Sequence, residues 1–198
     1  AYVDEPSFRN ISAVLPEAKV KLLKTFGYVA TNPTDVTDDD PTAFWETYGE
    51  GHEFTATLTR LILQKIGGSN ILRVDVSKAD ASFQIVRDYP STQDWSHFDL
   101  ISFYWYGMKS GKRIEVFLYS PPLPTRAYNY YKWGFLDDFE GWRTVVLALR
   151  MPNDPRYAVH GSPSLSKISR MAIGLPNGTW YLGKVVLVRW FDTYEEVV

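Results

Sequence analysis

From Asn70 onward the chain alternates apolar and polar residues in short runs, each ended by Gly, Pro, Asn or Asp. A period of two sends successive side chains to opposite faces of an extended backbone, so these runs read as strands with one buried face. In 71–76, Leu72, Val74 and Val76 share that face. Further runs at 82–87, 98–106, 113–120, 142–150, 167–175 and 179–190 repeat the pattern, and Ser110-Gly111-Lys112 and Pro176-Asn177-Gly178 supply turn chemistry between them. Many short strands separated by such turns specify an all-β antiparallel sandwich or barrel.

The first third carries less of this signal. Residues 19–26 fit an opening strand, and 32–41, with two Pro and four Asp, have loop composition. Residues 54–66 fit a helical stripe through Phe54, Leu58, Leu61, Ile62 and Ile66, or a strand through Phe54, Ala56 and Leu58. Thr47, Thr55, Thr57 and Thr59 lower helix propensity, which favours the strand. No internal repeat or Pro/Ser-rich linker divides the chain, so one domain is expected over 19–192, with an N-terminal extension over 1–18 and a tail over 193–198.

Composition removes several function classes. The 21 basic and 23 acidic side chains leave a formal charge of -2, without the excess of Lys and Arg that phosphate backbones require, so nucleic acid is not an expected partner. With no Cys, disulfide scaffolds, zinc fingers and thiol enzymes are excluded. The apolar runs stop far short of the ~20 residues that cross a bilayer, and no membrane partner is expected. Residues 1–20 lack the basic start and apolar run of a signal peptide, so secretion would require its prior removal. The unusual feature is the aromatic content: 7 Trp, 13 Tyr and 11 Phe.

The stretch Asp94-Trp95-Ser96-His97-Phe98-Asp99-Leu100-Ile101-Ser102-Phe103-Tyr104-Trp105-Tyr106-Gly107 resembles the D-W-S-x-F/Y-D-x-I/L-S-F-x-x-x-G strand of carbohydrate-binding modules with the galactose-binding-like β-jelly-roll fold. Asp137-Asp138-Phe139-Glu140-Gly141-Trp142-Arg143-Thr144-Val145 resembles their D-D-F-x-G-W-x-x-V/I segment, and 165–174 with 180–188 their closing run. The resemblance covers about 71–188. It implies a jelly roll that binds polysaccharide such as β-glucan outside the cell and that targets an attached catalytic domain to its substrate. It also implies a structural calcium, but the family's acidic positions are unmatched in Tyr181-Leu182-Gly183-Lys184 and at the end of 19–26, so no cofactor is expected; Asp38, Asp39 and Asp40 fit a solvated loop better than a substitute site.

Trp95, Trp105 and Trp142 are expected to fill the core, where strand context places large rings. Tyr104, Tyr106, Phe117 and Tyr119 lie opposite the regular Ile, Val and Leu faces of two runs. If those runs are neighbours, their rings form a strip able to stack on the C–H face of a pyranose while phenol groups bond its hydroxyls. The loop after Pro121 adds Arg126, Tyr128, Asn129, Tyr130 and Trp133, stiffened by prolines, and is expected to line the same groove. The alternative is that 131–135 is one more core strand. Tyr104, Tyr106, Tyr119, Arg126, Tyr128, Asn129, Tyr130 and Trp133 are thus the candidate ligand contacts.

No catalytic residue is assigned. His52, His97 and His160 have no metal-ligand spacing, and neither G-x-S-x-G nor H-E-x-x-H occurs. Acids cluster in turns and at the C-terminus rather than on strand faces. A non-catalytic binding module is the leading expectation; a jelly-roll lyase or glycoside hydrolase, and a structural domain that binds no glycan, are the alternatives.

Overall fold

The alternating runs pair into two antiparallel sheets in the computed structural model, which describes residues 2–3, 28–31, 45–49, 54–62, 70–79, 83–121, 129–150 and 157–190. The strands are β1 (Tyr2–Val3), β2 (Tyr28–Thr31), β3 (Glu46–Tyr48), β4 (Thr55–Ile62), β5 (Asn70–Lys78), β6 (Gln84–Gln93) and β7 (Leu100–Met108). They continue as β8 (Arg113–Ser120), β9 (Asn129–Leu136), β10 (Glu140–Ala148), β11 (Tyr157–His160), β12 (Ile168–Gly174) and β13 (Gly178–Trp190). One sheet has the order β1-β10-β7-β13-β5-β4, with β2 also paired to β13; the other has the order β11-β9-β8-β12-β6-β3. The ambiguous run after Phe54 is a strand, β4, and the proposed opening strand over 19–26 lies outside the described residues.

Strands β7 and β8 are not neighbours. The turn between them passes from one sheet to the other, and its anchor is Asp137, whose side chain is fully buried. The carboxylate accepts from the Met108 and Ser110 backbone N–H groups at 3.1 and 2.9 Å and from the Ser110 hydroxyl at 2.6 Å. Backbone bonds from Gly111 N to Asp137 O and from Asp137 N to Lys112 O complete the tie. Thus the crossing from β7 to β8 and the return from β9 to β10 are fastened side by side. Gly107 lies against this junction, where a Cβ would collide with the ring and carbonyl of Phe139.

Between the sheets lies one large core. Trp95, Trp105 and Trp180 are at most 1% exposed, and Trp105 meets Trp180 at 5.7 Å and Phe135 edge-on at 5.5 Å. The aliphatic faces read from the sequence, such as Leu72, Val74 and Val76 or Ile114, Val116 and Leu118, all point into it. Trp142 departs from expectation. It is only half-buried, because its position in β10 is in register with Tyr106 on the outward face of the seven-stranded sheet.

Candidate functional site

A second, smaller apolar cluster sits on the outward face of the six-stranded sheet: Val86, Phe117, Tyr119 and Ala172, with Tyr48 and Tyr130 packed against it. It exists because β8 breaks the usual alternation. Ile114, Val116 and Leu118 face the main core, yet Phe117 and Tyr119, on the other face, are 8% and 7% exposed. An outward face that buries rings needs neighbours to cover them, and the register supplies these.

One cross-strand row reads Asp88 (β6), Arg170 (β12), Tyr119 (β8), Tyr130 (β9) and His160 (β11). The next reads Val86, Ala172, Phe117 and Lys132. Phe117 and Tyr119 are stacked at 5.8 Å with 14° between planes, and each meets Tyr130 edge-on at 5.5 Å. His160 lies flat on Tyr130, and His160 is exposed. Small side chains in β12, Ala172 and Gly174, make room for the large ones on both sides.

Polar groups border the rings. Arg170 donates to both oxygens of Asp88 at 2.5 and 2.8 Å, a two-pronged pair that fixes the guanidinium plane, and its Cζ lies 4.9 Å from the Tyr48 ring centre. The hydrogen bond to Asp88 raises the Arg170 pKa against its burial. Gln84 and the Tyr119 hydroxyl meet at 3.2 Å. Lys132 donates to Glu115 at 3.1 Å, over the Phe117 ring. A depression of about 470 Å³ adjoins the face at Glu115 and Gly174, with Phe83, Leu175, Pro176 and Arg113 among its other walls. The face therefore offers accessible, prepositioned ring surface at Tyr48, Tyr130 and His160, edged by donors and acceptors.

No protein-family model and no curated protein matches the sequence. Solved structures do match. A family 11 carbohydrate-binding module from Clostridium thermocellum, in complex with a β-1,3-1,4-mixed-linked tetrasaccharide, superposes with a TM-score of 0.58 at 16% identity, over 82% of this chain and 96% of that one. The family 11 module of the cellulosomal cellulase Lic26A-Cel5E of the same organism gives 0.59 at 15% identity, over 85% and 98%. The chain has the jelly-roll fold of these modules.

Within the jelly roll the candidate residues separate. Tyr119 and Tyr130 share the outward face of the six-stranded sheet, whereas Tyr104 and Tyr106 belong to the seven-stranded sheet. The single strip anticipated from β7 and β8 does not form, because the Asp137 anchor sends the two strands to different sheets. Tyr119 supports its neighbours and presents little surface of its own. Trp133 is a core residue, 3% exposed, and its indole N–H donates to the Ala148 carbonyl at 2.8 Å. The alternative of a core strand over 131–135 is what β9 realises.

Asn129 acts in a turn, accepting from Ser162 N at 2.9 Å beside Gly161, whose φ is 68°. Arg126, Tyr128 and Asp38 to Asp40 lie outside the described residues. Among the described residues no group of three or more His, Asp or Glu side chains could hold a metal ion. The sequence reading missed Tyr48, Arg170, Asp88 and His160. No sequence signal pointed to them: in β12, Arg170, Ala172 and Gly174 take the outward positions of an ordinary alternation.

Proposed function

We propose that this chain is a non-catalytic carbohydrate-binding module that holds a polysaccharide across the outward face of its six-stranded sheet. The observation that carries the reading is the row Asp88, Arg170, Tyr119, Tyr130 and His160, in which clamped rings lie beside a fixed guanidinium–carboxylate pair. Ring faces attract the C–H faces of pyranoses, and the paired groups keep lone pairs and N–H bonds directed at ring hydroxyls. The Arg and Lys side chains of this face are paired with carboxylates, as Arg170 with Asp88 and Lys132 with Glu115, which suits a ligand without charge.

A β-1,3-1,4-mixed-linked glucan is the first ligand to try, since the fold is shared with a module that binds such a tetrasaccharide. In this reading the module acts outside the cell and tethers an attached catalytic domain to its substrate. Affinity is modest, because solvent competes for each hydrogen bond on an open face. Affinity electrophoresis in gels containing mixed-linkage glucan, cellulose derivatives and xylan tests the reading. Retardation in at least one gel, reduced by Tyr130→Ala in a folded variant and unaccompanied by release of reducing ends, supports it. Equal mobility in all gels, or release of reducing ends, refutes it.

A further inference from the structure

The outward face of the seven-stranded sheet carries a second row with the same composition. Trp142 (β10) pairs with Tyr106 (β7), Tyr106 with Tyr181 (β13), Tyr181 with Arg73 (β5), and Arg73 with Thr59 (β4). Neighbouring strands lie about 4.8 Å apart, so this row is a continuous band about 19 Å long. Tyr106 sits between the other two rings, edge-on to Trp142 at 5.3 Å and to Tyr181 at 5.7 Å. All three are half-buried, and Tyr104, one step along β7, is 37% exposed. Gly183 keeps the band open beside Tyr104: a Cβ there would stand 2.8 Å from that of Tyr104.

Where the rings end, an oriented polar group begins. Arg73 donates to Asp75 at 3.0 Å, and the Thr179 hydroxyl donates to the same oxygen at 2.7 Å. These bonds hold the Asp75 carboxyl below its ordinary range although burial opposes them. Hydroxyls flank the row: Thr57 and Thr59 are exposed and Thr144 is half-buried, while one row further along β7 Ser102 lies between Val146 and Val186. The two faces of the sandwich thus repeat one arrangement, an Arg–Asp pair followed by rings on adjacent strands.

We infer that the seven-stranded face is a second binding surface for an uncharged glycan chain, independent of the first. Arg73 carries the row's one charge and is paired with Asp75 of the adjacent row, which leaves no unpaired cation in the row to hold a phosphate or a polyanion. A band of rings and hydroxyls, with no aliphatic residue in the row, matches a polyhydroxylated ligand with apolar faces rather than the apolar centre of a protein interface. Opposed faces cannot contact the same short oligosaccharide, so the chain is bivalent and bridges separate glycan strands. The inference does not depend on the six-stranded face binding anything.

The test is an amide NMR titration of the whole chain with the β-1,3-1,4-mixed-linked tetrasaccharide, cellohexaose and xylohexaose. Saturable shifts at Tyr104, Tyr106, Trp142 and Tyr181 are expected with at least one of these. Tyr104→Thr with Tyr181→Thr, which keeps strand propensity, should abolish those shifts and leave those at Tyr130 and His160 in place. If the double variant does not fold, Tyr104→Thr alone should weaken the sheet's response at least threefold. Shifts confined to Tyr130 and its neighbours overturn the inference and leave the proposed function standing; shifts confined to Tyr104 and its neighbours do the reverse. No shifts on either face overturn both, and shifts at Tyr106 or Trp142 that survive the double variant overturn the inference.

Discussion

The imidazole of His160 lies parallel to the phenol ring of Tyr130, with centres 4.9 Å apart and 16° between planes. With Phe117 and Tyr119 meeting it edge-on, Tyr130 is held by three rings. Each such aromatic contact contributes about 0.5–1.5 kcal/mol beyond burial, so the ring is fixed before any ligand arrives. Tyr130→Ala is expected to weaken polysaccharide retention about tenfold, the equivalent of about 1.4 kcal/mol. His160→Ala, which frees one face of the ring, is expected to weaken it about threefold. Affinity electrophoresis gives both values, with thermal unfolding as the check on fold.

Tyr119 provides a test at alkaline pH. Burial, only partly offset by the bond with Gln84, pushes its phenol up to about 12. The unfolded phenol ionises near pH 10. The folded state therefore holds the proton longer, and its contribution to stability is whole below about pH 10 and is lost as pH rises towards 12. Urea midpoints measured across that interval should fall for the wild type. Tyr119→Phe should fall less steeply, with a residual slope from Tyr89, which burial also raises.

Removing Asp137 should damage the fold without touching either face. Asp137→Ala leaves the Met108 and Ser110 N–H groups without their acceptor at a part-buried site. Stranding buried donors costs about 1–3 kcal/mol each, so a total near 3 kcal/mol is expected from urea unfolding. Asp137→Asn keeps one acceptor oxygen and should lose about half as much.

Trp133 separates packing from binding. Trp133→Ala should destabilise the chain by about 3–5 kcal/mol through a core cavity. Trp133→Phe should cost about 1–2 kcal/mol, mostly the bond to the Ala148 carbonyl, and leave polysaccharide retention unchanged. Reduced retention in a folded Trp133→Phe variant would contradict its placement in the core.

Local periodicity sufficed for the long strands of the core but not for β1, β2, β3 and β11, and it left β9 as the alternative to a loop. Leu72, Val74 and Val76, or Ile114, Val116 and Leu118, reach the core that their spacing predicts. It could not decide which strands are neighbours, because a Ser-Gly-Lys turn serves a hairpin and a sheet-to-sheet crossing equally well. The difference is made by Asp137, which follows that turn by more than twenty residues and resembles any turn acid in sequence. For the same reason Tyr104 and Tyr119 could be recognised as unusual but not assigned to separate faces. Arg170 and Asp88 carried no mark at all, since their pairing across β12 and β6 exists only once the register is set.

Strand β13 is the last described strand, yet it sits in the middle of its sheet, bonded to β7, β5 and β2. Its contact with Tyr28–Thr31 joins segments separated by most of the chain, the kind of long-range closure that slows folding. During synthesis β5 and β7 emerge from the ribosome with nothing between them, and their inner edges stay unpaired until residues 178–190 arrive. A nascent or truncated chain ending before Gly178 therefore exposes two adhesive strand edges, which makes completion of the C-terminal strand the step that separates folding from aggregation.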